Sequence, residues 1–154
     1  MDRAISITGN IYWVGVNDRR TDLFESIWPL PRGVAYNSYL VVDEKIALID
    51  TVKAPFQMDY LEKIRKVIGE RRVDYLVINH MEPDHSGSIT FLREIFPDLK
   101  IIGNKKTMEF LNDFYGVADN TIIVADGETL PLGSTTLEFR LTPMVHWPET
   151  MMTY

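Results

Sequence analysis

The alternation of apolar and polar positions in the first third of the chain predicts strands. Residues 10–16, NIYWVGV, alternate as a half-buried strand does. Residues 38–51 contain two apolar runs joined by a polar turn at 43–45, which predicts a hairpin. Between these segments, residues 21–37 contain two prolines and a glycine, a composition that favours an extended loop.

The spacing of apolar positions becomes helical after residue 54. Residues 55–70, PFQMDYLEKIRKVIGE, predict a helix whose apolar face is formed by Met58, Leu61, Ile64 and Ile68. Glu62 precedes Lys66 by four positions, so the two side chains are expected to pair on the exposed side.

The rest of the chain alternates predicted strands and helices. Residues 73–79, VDYLVIN, are typical of a buried strand, and residues 88–96, SITFLREIF, predict a helix capped by Ser86 or Ser88. Four later segments follow as strand, helix, strand and strand: 100–103, 106–116, 121–125 and 135–145. Strands that first alternate with helices and later pair by turns predict an α/β or α+β sandwich.

Composition limits the possible functions. With 154 residues, 45% of them hydrophobic, and no internal repeat, the chain is expected to form one domain. Its 16 basic and 22 acidic residues give a net charge of -6, which disfavours a nucleic acid partner. No apolar run approaches the roughly 18 residues that span a bilayer, and no signal peptide pattern is present, so no membrane contact and a cytoplasmic location are expected. Because cysteine is absent, a bound metal would have nitrogen and oxygen ligands.

The candidate chemistry is concentrated in INHMEPDHSGS, residues 78–88. Four potential ligands occupy six consecutive positions directly after the predicted buried strand: His80, Glu82, Asp84 and His85. The third histidine of the chain, His146, is placed at the end of a later predicted strand. Because side chains at strand ends can converge from a rigid scaffold, these residues predict a dinuclear metal site.

Two segments carry a family resemblance: HMEPDHSGS, residues 80–88, and HWPETMMTY, residues 146–154. They resemble the diiron domain of flavodiiron proteins, the oxygen- and nitric-oxide-reducing branch of the metallo-β-lactamase fold superfamily. The resemblance extends over the chain and includes RGVAYNSYLV and ALIDT. It implies a metallo-β-lactamase-like αββα sandwich, of which residues 1–154 would form the amino-terminal portion.

The resemblance also implies a ligand set. His80, Glu82 and His146 match ligands of one iron, and Asp84 and His85 match ligands of the other. In zinc hydrolases of the same superfamily, the position that matches Glu82 is a histidine. A carboxylate there adds negative charge and a hard oxygen donor, which favours iron over zinc and stabilises the ferric state.

Three further residues receive roles through the resemblance. Trp147 matches an aromatic side chain beside the site, and Glu25 lies where the family places a residue near the substrate pocket; both are predicted to take part in catalysis. Packing of Trp147 under the loop is an equally open reading. Asp50 matches a position that supports the loops by hydrogen bonds, so its predicted role is structural.

Flavodiiron proteins continue beyond the segment that matches HWPETMMTY. They supply a bridging aspartate and a last histidine, followed by a flavodoxin-like domain that binds FMN, and none of these is expected within residues 1–154. The favoured interpretation is half of a split or cleaved protein, completed by a second chain in a homo- or hetero-oligomer. The alternative is a shortened protein that has lost the redox centre.

The implied function is reduction of O2 to water or of NO to nitrous oxide at two iron ions. Electrons would come from FMN on a missing domain or partner chain, or from a donor such as rubredoxin. Two other classes stay open: a flavin-free diiron oxygen sensor, and a zinc hydrolase of the superfamily, which Glu82 disfavours.

Overall fold

The computed structural model of the protein describes residues 3–154. The strands are β1 (Ile5–Thr8), β2 (Ile11–Trp13), β3 (Val16–Asp18), β4 (Leu23–Phe24), β5 (Trp28–Pro29), β6 (Val34–Tyr36), β7 (Tyr39–Val42), β8 (Ile46–Ile49), β9 (Tyr75–Val77), β10 (Lys100–Gly103), β11 (Thr121–Ile123), β12 (Thr129–Pro131), β13 (Thr136–Leu141) and β14 (Met151–Thr153). The helices are α1 (Gln57–Ile68), α2 (Pro83–Ser86), α3 (Ile89–Ile95) and α4 (Lys105–Tyr115), with a 3-10 turn at Ala54–Phe56 before α1. None of the helices within residues 3–154 is long and apolar enough to cross a membrane.

The main sheet changes from antiparallel to parallel pairing along its width. Its seven strands lie in the order β1-β2-β7-β8-β9-β10-β11. Neighbours from β1 to β8 are antiparallel, whereas β8, β9, β10 and β11 run parallel. Because parallel strands end at the same edge, the loops after β8, β9 and β10 meet there, and such an edge is a common place for ligand sites.

The two faces of the main sheet are covered by different layers. Leu40, Leu48 and Leu76 face a core that also contains residues of α1, α3 and α4. The alternating positions of the same strands, such as Val41 and Ala47, face a second core shared with the three-stranded sheet β12-β13-β14. Strand β8 is buried throughout, and burial on both faces explains why its sequence, IALI, is apolar at every position.

Most of the predicted elements are confirmed. Residues 38–51 form the β7–β8 hairpin, with Leu40 opposite Leu48. The predicted helix at 55–70 is α1, and its Glu62–Lys66 pair forms the expected ion pair. The predicted helices and strands at 88–96, 100–103, 106–116 and 121–125 correspond to α3, β10, α4 and β11.

The prediction of an extended loop for residues 21–37 is wrong. This segment contains the short hairpin β4–β5 and strand β6, which pairs with β3. The single strand predicted at 10–16 is also divided, since β2 ends at Trp13 and β3 begins at Val16. A Cβ at Gly15 would lie 2.3 Å from the carbonyl oxygen of Tyr36, so the chain crosses closely here and only glycine fits.

The predicted inner face of α1 and the predicted cap of α3 are also corrected. Met58 is 64% exposed, whereas Lys63 is buried and donates to the carbonyl oxygen of Gly15. The long lysine stem buries its methylene groups and still reaches a polar partner. Ser88 is the N-cap residue directly before α3, but its side chain accepts no hydrogen bond from the helix; its hydroxyl donates to the carbonyl oxygen of Val52 at 2.8 Å. The Ser86 hydroxyl donates to the carbonyl oxygen of Met81.

Candidate metal centre

The histidine-rich motif follows β9 at the carboxyl edge of the parallel strands. Asp50, directly after β8, accepts hydrogen bonds through Oδ1 from the backbone N–H groups of Asn79 at 2.8 Å and His80 at 3.3 Å. Burial raises the pKa of Asp50 to about 7, against the opposing effect of these donors. The interpretation of Asp50 as a residue that supports the loop by hydrogen bonds agrees with this geometry.

Three of the predicted ligands converge on one point. Oε2 of Glu82 lies 3.0 Å from Nε2 of His80 and 3.0 Å from Nε2 of His146. The potential ligand atoms of these three side chains all lie within 4.8 Å of one another. Both histidines therefore direct the same type of nitrogen at one carboxylate oxygen, an arrangement in which a cation can replace the hydrogen bonds.

His146 reaches this point from a loop and not from a strand end. β13 ends at Leu141, and His146 lies in the connection to β14, which is closed by a hydrogen bond from the Thr142 N–H to the carbonyl oxygen of Thr150 at 3.0 Å. The placement of His146 at a strand terminus is therefore wrong. The side chain is 68% exposed, in contrast to 13% for His80.

Asp84 and His85 lie beside the three converging residues, on the short helix α2. Oδ2 of Asp84 is 3.5 Å from Nε2 of His85, and the His80 and His85 ring centroids are 5.6 Å apart. Burial raises the pKa of Asp84 and lowers that of His85, so burial disfavours the charged form of each. Oδ1 of Asp84 and Nδ1 of His85 are buried without a hydrogen-bond partner. Because these two polar atoms have no hydrogen-bond partner, they are available as ligands for a second cation.

Trp147 and Glu25 occupy different surroundings. The Trp147 ring meets His80 edge to face, with centroids 5.1 Å apart, and also contacts Phe110. Glu25 is exposed in the turn between β4 and β5. No hydrogen bond or ion pair in the described range connects the Glu25 side chain with the histidine cluster. The catalytic roles of both residues stay predictions.

Glu149 is a residue of the site that sequence reasoning missed. Its side chain is fully buried, and Oε1 accepts from Nδ1 of His80 at 2.8 Å and from the Met81 N–H at 2.9 Å. The available signal was its place in HWPET, three residues after His146. Nothing in that spacing identified which partner it would meet.

The loop that carries Asp84 and His85 is fastened to the segment after β8. The carbonyl oxygen of His85 accepts from the Thr51 N–H at 2.7 Å and from the Thr51 hydroxyl at 2.9 Å. The Ser88 N–H donates to that hydroxyl at 3.2 Å. These bonds place the end of α2 directly against the 3-10 turn that precedes α1.

This close approach predicts a large effect for Gly87→Ala. A Cβ at Gly87 would lie 2.5 Å from the Pro83 carbonyl oxygen and 2.9 Å from the Ala54 nitrogen, both main-chain atoms that cannot move aside. We expect the free energy of unfolding to fall by about 1–3 kcal/mol, measured by urea titration of the metal-free protein. Iron content after reconstitution should also fall, because α2 carries two potential ligands.

Gly69→Ala is the matched control for Gly87→Ala. Gly69 ends α1 at φ 60 with no atom near its missing Cβ, so alanine strains the backbone without a clash. This variant should lose stability and keep its iron content. Equal loss of iron in both variants would contradict a local effect at the α2 turn.

The donor set fits iron. Histidine nitrogens and carboxylate oxygens are the ligands on offer, with no thiolate in the chain. Hydrogen bonds from His146 and His80 lower the pKa of Glu82 although burial acts in the opposite direction, which keeps a negative charge at the centre of the cluster. The buried partnerless atoms of Asp84 and His85 add to this set.

Comparisons with known proteins agree with this architecture. The model of the ODP family of beta lactamases matches residues 34–154. A nitric oxide reductase of Moorella thermoacetica is 38% identical over 156 residues, which cover 100% of this chain and 39% of that protein. Among solved structures, a rubredoxin oxygen:oxidoreductase of Desulfovibrio gigas matches with a TM-score of 0.94 and 37% identity, covering 99% of this chain and 38% of its own.

The flavodiiron protein of Giardia intestinalis gives the same result. It matches with a TM-score of 0.93 and 33% identity, over 100% of this chain and 38% of its own. The chain thus spans less than two fifths of the length of each of these relatives.

Proposed function

This chain belongs to the ODP family of beta-lactamase-like domains and matches the amino-terminal part of flavodiiron proteins, and on that premise we propose that it contributes to a non-haem diiron centre that reduces O2 to water or NO to nitrous oxide. One observation carries the proposal. A glutamate oxygen, Oε2 of Glu82, lies between two histidine nitrogens where a zinc hydrolase of the superfamily would offer a third histidine. The carboxylate favours iron.

The side chains divide into two groups of ligands. His80, Glu82 and His146 would hold one iron, and Asp84 with His85 would hold the other. Iron ions bound there would supply electrons and a binding place for the diatomic substrate. The Glu82 carboxylate would offset the positive charge of iron bound there.

Trp147 limits access to the cluster on one side. Its ring stands against His80 and is backed by Phe110. This apolar ring excludes water from its contact with His80, whereas the His146 side chain is 68% exposed and accessible to a small molecule. The role of Glu25 in substrate access remains part of the proposal and rests on the resemblance alone.

The remaining partners are inferred from the whole length of the relatives. We infer that a bridging aspartate and a last histidine come from a segment or chain other than residues 1–154. FMN would be bound by a flavodoxin-like domain or partner, with an electron donor such as rubredoxin, in a homo- or hetero-oligomer. The cytoplasmic location stays a prediction.

Anaerobic reconstitution with ferrous iron tests the proposal. The protein with its physiological partner segments should bind two irons per centre and, with a reduced flavin or rubredoxin, consume O2 or NO with water or nitrous oxide as product. Iron-loaded protein that binds O2 reversibly without turnover would indicate the sensor alternative. Loaded, reduced protein that consumes neither gas and binds neither would contradict the reductase.

A further inference from the structure

Glu149 occupies an unusual position behind the metal cluster. It is completely buried and belongs to the connection between β13 and β14, the same loop that carries His146. Its carboxylate contacts the segment that follows β9, at Nδ1 of His80 and at the Met81 N–H. Glu149 therefore connects the two segments that supply the converging ligands.

Oε1 of Glu149 must act as a hydrogen-bond acceptor. The Met81 N–H, 2.9 Å away, is a fixed backbone donor that determines this role. His80 Nδ1 lies 2.8 Å from the same oxygen and must therefore carry a hydrogen. A cation that replaces the proton between Nε2 and Glu82 then meets the Nε2 lone pair, because Nδ1 keeps its own hydrogen.

The two histidines of the cluster differ in this respect. His80 is held from behind by Glu149 and is 13% exposed. His146 is 68% exposed, and no group in residues 3–154 forms a hydrogen bond with its Nδ1. One histidine is thus fixed before a metal binds, whereas the other can adjust.

We propose that Glu149 is a positioning residue that fixes the tautomer and ring orientation of His80, so that Nε2 of His80 is the metal-binding atom. This inference rests on the metal centre of the proposed function. A carboxylate that accepts from the distal nitrogen of a ligand histidine restricts the ring to one orientation, and loss of such a partner typically lowers metal affinity about 10–100-fold.

A second contact of Glu149 provides a structural control. The Asn104 side chain, directly after β10, donates through Nδ2 to the Glu149 carbonyl oxygen at 2.6 Å. This bond tethers the loop without touching His80. Oδ1 of Asn104 accepts from the Lys106 and Thr107 N–H groups and caps α4. Asn104→Ser keeps a capping oxygen and loses the tether.

Glu149→Gln and Glu149→Leu form a matched pair of similar size. Glutamine retains an acceptor for His80 and Met81, since the Met81 N–H selects the orientation of the amide. Leucine has no acceptor. With zinc as the probe, isothermal titration should give an affinity for Glu149→Gln within about 3-fold of the original protein and a loss of about 10–100-fold for Glu149→Leu. Asn104→Ser should stay close to the original value.

Nitrogen NMR of histidine-labelled protein gives a test that needs no variant. In the zinc-loaded protein, His80 should show a proton on Nδ1 and zinc on Nε2. A proton on Nε2, zinc on Nδ1, undiminished affinity in Glu149→Leu, or an equal loss in Asn104→Ser would each overturn the proposal. Zinc binding and the tautomer require neither turnover nor electron transfer. Failure of the reductase assay with these results intact would therefore contradict only the proposed function.

Discussion

Glu82→His is expected to change the metal selected by the protein from iron to zinc. Glu82 supplies the oxygen that both His80 and His146 approach at 3.0 Å. An imidazole removes the negative charge and the hard donor, so we expect ferric iron affinity to fall by about 100-fold or more, beyond the usual effect of losing an outer partner. When the expressing cells are supplied with both iron and zinc, metal analysis of the purified Glu82→His protein should show zinc in place of iron. The variant should also lose consumption of O2 and NO.

A glutamate-to-histidine substitution at a surface position, Glu109→His, is the control for Glu82→His. Glu109 pairs with Lys106 on α4 and does not contact the cluster, so Glu109→His should keep both iron and activity. Retention of iron and reductase activity in Glu82→His would contradict the assigned role. If the original protein bound no iron and Glu82→His hydrolysed a thioester or a lactam faster than the original protein, the zinc hydrolase interpretation would be favoured.

Asp50→Ala is expected to give the largest loss of stability. It removes the acceptor of two backbone N–H groups, those of Asn79 and His80, in a buried position. Each unpaired donor costs about 1–3 kcal/mol. Asp50 also has a φ of 54, which alanine adopts less readily than aspartate by about 1 kcal/mol. We expect the free energy of unfolding to fall by about 3–7 kcal/mol in total, measured by urea titration.

Asp50→Asn separates the two causes. Asparagine retains an oxygen acceptor and tolerates positive φ, so its loss should be about 1 kcal/mol or less. Zinc affinity should follow the same order, since His80 is placed by the loop that Asp50 holds. A stability of Asp50→Ala equal to that of Asp50→Asn would show that the two N–H groups find other partners.

The elements with regular apolar spacing were predicted well. The β7–β8 hairpin and α1 have patterns that depend on neighbours close in sequence, and both are confirmed. The α/β sandwich and the family resemblance are confirmed by the fold and by the comparisons. The loop prediction for residues 21–37 was wrong because proline and glycine residues indicate turns but do not exclude short strands between those turns.

The buried side of α1 shows why periodicity is an incomplete guide. Helical spacing assigned Met58 to the core, yet the sheet covers a sector centred on Tyr60, Ile64 and Ile68. Lys63 is buried as well, because Gly15 approaches closely and offers a carbonyl oxygen to the ammonium group. Which sector of a helix is covered depends on the packed sheet and not on the helix alone.

The sequence by itself determined the type of chemistry. Three features of the sequence predicted the metal donors and identified the family: the spacing of His80, Glu82, Asp84 and His85 after an apolar run, the absence of cysteine, and the second motif at His146. These features are local or compositional, so they can be read without knowing which distant segments meet.

Only the tertiary structure decided how the donors are arranged. Glu149 meets His80 across 69 positions, and His146 meets Glu82 across 64, because β13 and β14 bring their connecting loop against the carboxyl edge of β8, β9 and β10. The partner of a buried carboxylate depends on sheet order and packing, and interactions over such separations leave no periodic signal in the chain. The tautomer proposed for His80 therefore follows from the fold and could not be inferred from the motif.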